Sequence, residues 1–114
     1  MSIHYPELNQ IVNEMSEGDE DFRNELVSAI YNGLIELQTK YTEGTQMQNL
    51  ETIQQIRHKL KPTLAMFEFE DLGDCLQTGK TILETSGFGQ EFDSHAIQFH
   101  SKLANAILAV EALK

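Results

Sequence analysis

The chain has 114 residues, a net charge of −10 from 18 acidic and 8 basic residues, 40% hydrophobic residues and one cysteine. That length and balance describe one globular domain, residues 1–114, with a core that needs no disulfide or structural metal; they exclude disordered, collagen-like and low-complexity chains. The acidic excess argues against a nucleic-acid partner and against adhesion to an anionic membrane surface, and the lone Cys75 excludes an internal disulfide and any two-cysteine metal motif.

No apolar run is long enough for a membrane span, and Met1 to Glu7 lacks the basic-then-apolar order of a signal peptide. A cytoplasmic location is therefore expected.

Five helices are predicted in chain order. The first covers about Tyr5 to Met15, with Pro6 in its first turn and Leu8, Ile11, Val12 and Met15 at helical spacing. It is short and reads as a covering helix. The second runs from an Asp19 cap to Tyr41, with Phe22, Leu26, Ile30, Leu34, Leu37 and Tyr41 as its stripe and Gly44 in the turn beyond. The third begins near Met47 and carries Leu50, Ile53, Ile56, Leu60, Leu64 and Phe67. The fourth, from about Asp71 to Thr85, groups Leu72, Cys75, Leu76, Gly79, Ile82 and Leu83. Ser86 to Gly89 reads as a turn. The fifth is capped at Asp93 or Ser94 and carries Ile97, Leu103, Ala104, Ile107, Val110 and Leu113. No segment alternates with period two. The expected fold is all-α: an antiparallel up-down four-helix bundle over residues 19–112, with a short additional N-terminal helix. One bundle closing its own core predicts a monomer.

The chemistry concentrates in the third helix. Arg57, Lys59 and Lys61, three of the eight basic residues, fall within five positions around His58. At about 100° per residue, His58 points roughly 160° from the apolar stripe and so faces solvent. Lys61 is its i+3 neighbour, and Pro62 and the small Ala65 lie on the same side. Gln54 and Gln55 flank it. An exposed imidazole with a free nitrogen is a nucleophile at neutral pH, and an ammonium beside it supports an acquired phosphoryl group. Small neighbours let another protein approach. The pattern therefore predicts a phosphoryl acceptor read by a docking partner. Pro62 removes the N–H that would bond the His58 carbonyl, so a bend is expected there; the alternative is a helix that ends near Leu60.

His58-Lys59-Leu60-Lys61-Pro62 resembles the His-x-Leu-Lys-Gly/Pro signature of histidine-containing phosphotransfer (HPt) domains. Asp21-Phe22-Arg23-Asn24-Glu25-Leu26 resembles the opening of the family's preceding helix, and Leu72 matches an apolar position of the following one. The resemblance covers about residues 19–112. It implies a four-helix bundle whose exposed His58 accepts a phosphoryl group on Nε2 from a receiver-domain aspartyl phosphate and passes it to another receiver. Lys61 matches the family's charge-neutralising lysine. Gln54, Gln55, Arg57, Lys59, Pro62 and Ala65 are the candidate rim of the docking face. The implied partners are response-regulator receiver domains, with a hybrid sensor histidine kinase as a further candidate. Mg²⁺ belongs to the receiver, so no cofactor is expected on this chain, which is a carrier rather than an enzyme. Pro62 stands where the family often has Gly, and Glu68 where a Gly is common ten residues after the histidine. The alternative is an adaptor that binds receivers or other signalling partners without being phosphorylated.

The remaining candidates read more plainly. His4 is a terminal surface residue. His95 sits near a helix start, where positive charge gains nothing from the dipole, and His100 is a half-buried packing residue. Their spacing of five misses the i, i+4 pairing of a helical metal site, so no metal is predicted. The acidic run Glu68, Glu70, Asp71 and Asp74 reads as a solvated helix start.

Overall fold

The computed structural model describes residues 7–114, so His4, Tyr5 and Pro6 lie outside the described residues. Five α-helices follow one another: α1 Leu8–Ser16, α2 Glu20–Gln46, α3 Leu50–Met66, α4 Glu70–Thr85 and α5 Gln90–Glu111. There is no strand among the described residues. α2 packs against α1, α3 and α5, and α4 packs against α3 and α5. No helix among the described residues is long and apolar enough to cross a membrane.

Asp19 caps α2 as its sequence position predicts: its Oδ1 accepts from the Phe22 N–H at 3.0 Å. The far end differs from expectation. α2 does not stop at Tyr41 but continues through Gly44 to Gln46. Gly44 is buried, and a Cβ there would lie 2.7 Å from Ile53 Cδ1. The glycine permits close approach of α3; it does not end the helix. The corner is made by Gln48 at φ +50°. Its N–H donates to the Thr45 carbonyl, and the Asn49 N–H donates to the Gly44 carbonyl at 2.9 Å, a paired arrangement that satisfies the last carbonyls of α2. Asn49 then caps α3, its Oδ1 accepting from the Thr52 N–H. As a result α3 starts at Leu50 rather than near Met47, and Leu50 is 45% exposed instead of joining the core.

The α3–α4 corner repeats the device. The Phe69 N–H donates to the Leu64 carbonyl at 2.8 Å, and the Glu68 N–H donates to the Ala65 carbonyl. Glu68 takes φ +60°. Phe69 and Leu64 are both buried, so an apolar contact seals the turn.

Of the predicted stripe residues, Phe22, Ile97 and Ala104 also face solvent. Successive steps of four advance the wheel by about 40° each, so Phe22 stands about 80° from Ile30; it is 43% exposed. Val27, in line with Leu34, takes the buried position. On α5, Ile97 and Ala104 leave the core because they lie about 120° and 100° from Leu103, whereas Ala96 lies within about 20°. The inner face is Phe92, His95, Ala96, Phe99, Leu103, Ala106, Ile107 and Val110. α5 also begins at Gln90, before the expected cap, which puts His95 inside the helix and buries it. His100 is half-buried, as expected.

Polar groups lock these layers together. Arg23 reaches across three elements: its Nε donates to Asn13 Oδ1 at 2.8 Å, Nη2 to Asn9 Oδ1 at 2.9 Å, and Nη1 to the Leu113 carbonyl at 3.1 Å. The guanidinium fork thereby ties α1 and the end of α5 to the start of α2. In the core, the Tyr41 hydroxyl and His95 Nε2 are 2.8 Å apart. Gly79 of α4 lies against this pair, and an added Cβ would collide with His95 Nε2 and stand 2.6 Å from the Tyr41 oxygen.

Candidate functional site

α3 carries the site because its inner face is committed to the core. Ile53, Ile56, Leu60 and Leu64 are buried. The positions opposite, Gln54, His58, Lys61, Pro62 and Ala65, are all exposed. The helix continues through Pro62 to Met66, so it does not end near Leu60. The His58 carbonyl lacks the usual donor four residues on, because that residue is the proline.

His58 opens onto a groove of about 150 Å³ between α3 and α4. Arg57, His58 and Lys61 line it from α3; Gly73, Leu76, Gln77 and Lys80 line it from α4. Leu76 is buried and forms an apolar floor. No carboxylate lines this groove, and three of the chain's eight basic residues do. In a chain of net charge −10 this is a local concentration of cations around one imidazole. Gly73 presents no side chain, and a Cβ added there would meet nothing within 4 Å. Its hydrogen therefore leaves space beside the histidine that no packing demand requires.

The expected rim divides into two sides. Arg57 and Lys61 accompany His58 toward α4. Ala65 continues along that side, in an adjoining groove with Lys61, Gly73 and Gln77 that Glu70 and Asp74 also line. Lys59 turns the other way and meets α2, its Nζ 2.8 Å from Glu36 Oε1. Gln55 is on that side too, donating from Nε2 to Glu51 Oε1 at 3.2 Å. The Lys59–Glu36 pair is solvent-exposed, so it contributes at most about 1 kcal/mol, but it offsets one of the cations nearest His58. Gln54 and Pro62 are exposed on the outer surface of α3.

Lys80 and Gln77 were not singled out by sequence reasoning. The signal that finds them is the register of α4 against α3, which no spacing within one helix reveals. With Lys80 added, cations reach the imidazole's groove from both helices. The arrangement can bind an anion, and it can stabilise negative charge placed on the imidazole.

A second polar cluster is different in kind. His95 Nε2 meets the Tyr41 hydroxyl, and His95 Nδ1 lies 3.9 Å from Cys75 Sγ. A neutral imidazole that accepts from Tyr41 at Nε2 offers its Nδ1 hydrogen to the sulfur. Burial raises the Tyr41 phenol well above its ordinary value, with Cys75 adding to the effect. Burial also raises the Cys75 thiol, and Asp71 adds to that rise against a lowering by Lys102. His95 is held low by burial and then by His100. All three groups are thus neutral at pH 7. The cluster is a satisfied hydrogen-bonded chain within the core, not a thiolate nucleophile. No group of three or more His, Cys, Asp or Glu side chains is placed to hold a metal among the described residues.

Comparison of the chain with protein-family models, with curated proteins and with solved structures found no match.

Proposed function

We propose that this chain is a phosphocarrier of the HPt type, working in a His–Asp relay of two-component signalling. In this reading α2 to α5 form an antiparallel up-down four-helix bundle and α1 covers one end. His58 is the phosphoacceptor. The observation that carries the reading is an exposed histidine opening onto one groove with Arg57, Lys61 and Lys80 and with no carboxylate.

The transfer is a displacement at phosphorus. The Nε2 lone pair of neutral His58 attacks the phosphoryl group of a receiver's aspartyl phosphate. The N–P bond forms, the P–O bond to the carboxyl breaks, and aspartate leaves with the electron pair. The phosphohistidine then gives the group to the aspartate of a second receiver by the reverse step. Lys61, with Arg57 and Lys80, offsets the charge on the phosphoryl oxygens. Mg²⁺ is supplied by the receiver. The cationic rim also suits an acidic docking partner, since a receiver's metal site is built from carboxylates. Such a carrier works in the cytoplasm and turns over no substrate of its own.

The test mixes the chain with a panel of receivers phosphorylated on aspartate and follows label that survives base and is lost in acid. Transfer to the wild type and none to His58→Gln supports the carrier. Receiver binding with no label on either protein supports the unphosphorylated adaptor instead.

A further inference from the structure

Five of the chain's eight basic residues are already engaged. Arg23 donates to Asn9, Asn13 and the Leu113 carbonyl. Lys40 pairs with Glu43, and Lys59 with Glu36. Lys114 lies over the Tyr31 ring, 3.5 Å from its centroid. Lys102 shares the groove between α4 and α5 with Asp71, Asp74 and Glu91. The other three, Arg57, Lys61 and Lys80, have side chains with no hydrogen bond or ion pair among the described residues. They are the three that line the His58 groove.

The chain has 18 acidic residues, and the fold brings none of them to these cations. On α3, neither Arg57 nor Lys61 has an acidic residue three or four positions away. On α4, Glu84 stands one turn beyond Lys80 without pairing with it. Glu70 and Asp74 line the adjoining groove, which shares Lys61, and not this one. Arg57 and Lys80 are half-buried, so both charges are held partly out of water with no acceptor.

The size of the groove selects the anion. Its volume of about 150 Å³ is the liquid volume of roughly five waters. That admits one central atom with its shell of oxygens. It falls below the roughly 300–1,000 Å³ of a pocket for a drug-sized ligand, so a nucleotide could place only a phosphate there. The guanidinium fork, two ammonium groups and the Gln77 amide surround the space with N–H donors. The apolar floor at Leu76 strengthens their field.

We infer that the unmodified groove is a binding site for a free phosphate dianion, as orthophosphate or as the head of a small phosphomonoester. The net charge of −10 opposes any anion at long range. Physiological salt screens that repulsion beyond about 8 Å, and within that distance the three cations dominate. Dissociation near about 1 mM is expected. An ion bound there covers His58 and so competes with a phosphorylated receiver. The binding needs only the groove, whereas the competition rests on the carrier reading.

Titration of the isotope-labelled full chain with sodium phosphate tests it, followed by NMR against sodium chloride at matched ionic strength and fixed pH. The His58 ring and the Gly73 and Gln77 amides should shift saturably with phosphate and not with chloride. Sodium sulfate, similar in shape and charge, should compete. A parallel titration with glycerol phosphate identifies the source: tighter binding than orthophosphate assigns a monoester, and equal or weaker binding assigns the free ion. Lys61→Gln and Lys80→Gln should each weaken binding about fivefold, the effect of one unit charge at contact distance in water. Lys114→Gln changes the net charge equally from outside the groove and should leave binding within about twofold. The urea midpoints of Lys61→Gln and Lys80→Gln should match the wild type, since neither side chain makes a bond in the fold. Shifts that stay linear up to about 50 mM phosphate, or Lys114→Gln weakening binding as much as Lys80→Gln, would overturn the inference. The titration uses no receiver, so a failure of phosphotransfer would count against the carrier reading and not against this site.

Discussion

Two glycines on α4 should respond oppositely to the same substitution. Gly73 and Gly79 are six residues apart on one helix. Alanine is favoured over glycine in a helix by about 1 kcal/mol. At Gly73 a Cβ meets nothing within 4 Å, so Gly73→Ala should deliver most of that gain, about 0.5–1 kcal/mol. At Gly79 the same Cβ collides with His95 Nε2 and sits 2.6 Å from the Tyr41 oxygen. Those atoms share a buried hydrogen bond of 2.8 Å, so neither can yield without parting from the other. A broken buried pair costs about 1–3 kcal/mol, and overpacking costs a further 1–3 or so. The helical preference offsets about 1 kcal/mol of this, leaving a net loss of roughly 1–5 kcal/mol. Urea denaturation of both variants measures the difference, and a melting shift of about 4–8 °C per kcal/mol makes it visible thermally. If both substitutions moved stability in the same direction, the placement of Gly79 against the Tyr41–His95 pair would be refuted.

Glu68→Gly should raise stability by about 0.5–1 kcal/mol, because a side chain at φ +60° carries a left-handed penalty of about 1–2 kcal/mol that glycine's extra unfolded-state freedom offsets only in part; a lower urea midpoint would count against it. Stability should fall as the solution is acidified below about pH 6.5. His95 and His100 are both held below their ordinary value, chiefly by burial, so in that range the unfolded chain binds more protons than the folded one. The slope is up to about 1.4 kcal/mol per pH unit for each histidine and vanishes well above pH 7. Denaturation at pH 7.5 and 5.5 checks the sign, and replacing His95 with Gln should flatten the dependence even though it also lowers stability. Lys80→Ala should slow phosphotransfer to His58 by about tenfold through lost charge stabilisation, on the order of 1 kcal/mol, with a urea midpoint near that of the wild type. Unchanged transfer would remove Lys80 from the site.

Local signals in the sequence carried much of this structure. The Asp19 cap, the buried face of α3 and the outward direction of His58 and Lys61 each follow from spacing within one helix. The errors arose where one residue type serves two purposes. Gly44 has the look of a helix stop, yet it is a contact glycine beneath Ile53, and the turn is made instead by Gln48 and capped by Asn49. Ile97 has the hydrophobicity of a core residue but the wrong phase relative to Leu103. Lys80 and Gly73 could not be linked to His58 from sequence alone, because their meeting depends on how α4 sits against α3. The Tyr41–His95 bond likewise joins residues 54 positions apart. It is set by a tertiary register that no single-helix pattern contains.

The most direct test of the central claim is to locate the phosphoryl group after transfer from a receiver. NMR or fragment mass mapping under alkaline conditions can assign it to one side chain and one nitrogen. His95 is buried with Nε2 occupied, and His100 is half-buried with Nε2 near Thr42 Oγ1. The account predicts a single phosphohistidine, on Nε2 of His58, that vanishes in His58→Gln while the fold persists. Label on any other side chain, or label that survives His58→Gln, would contradict it.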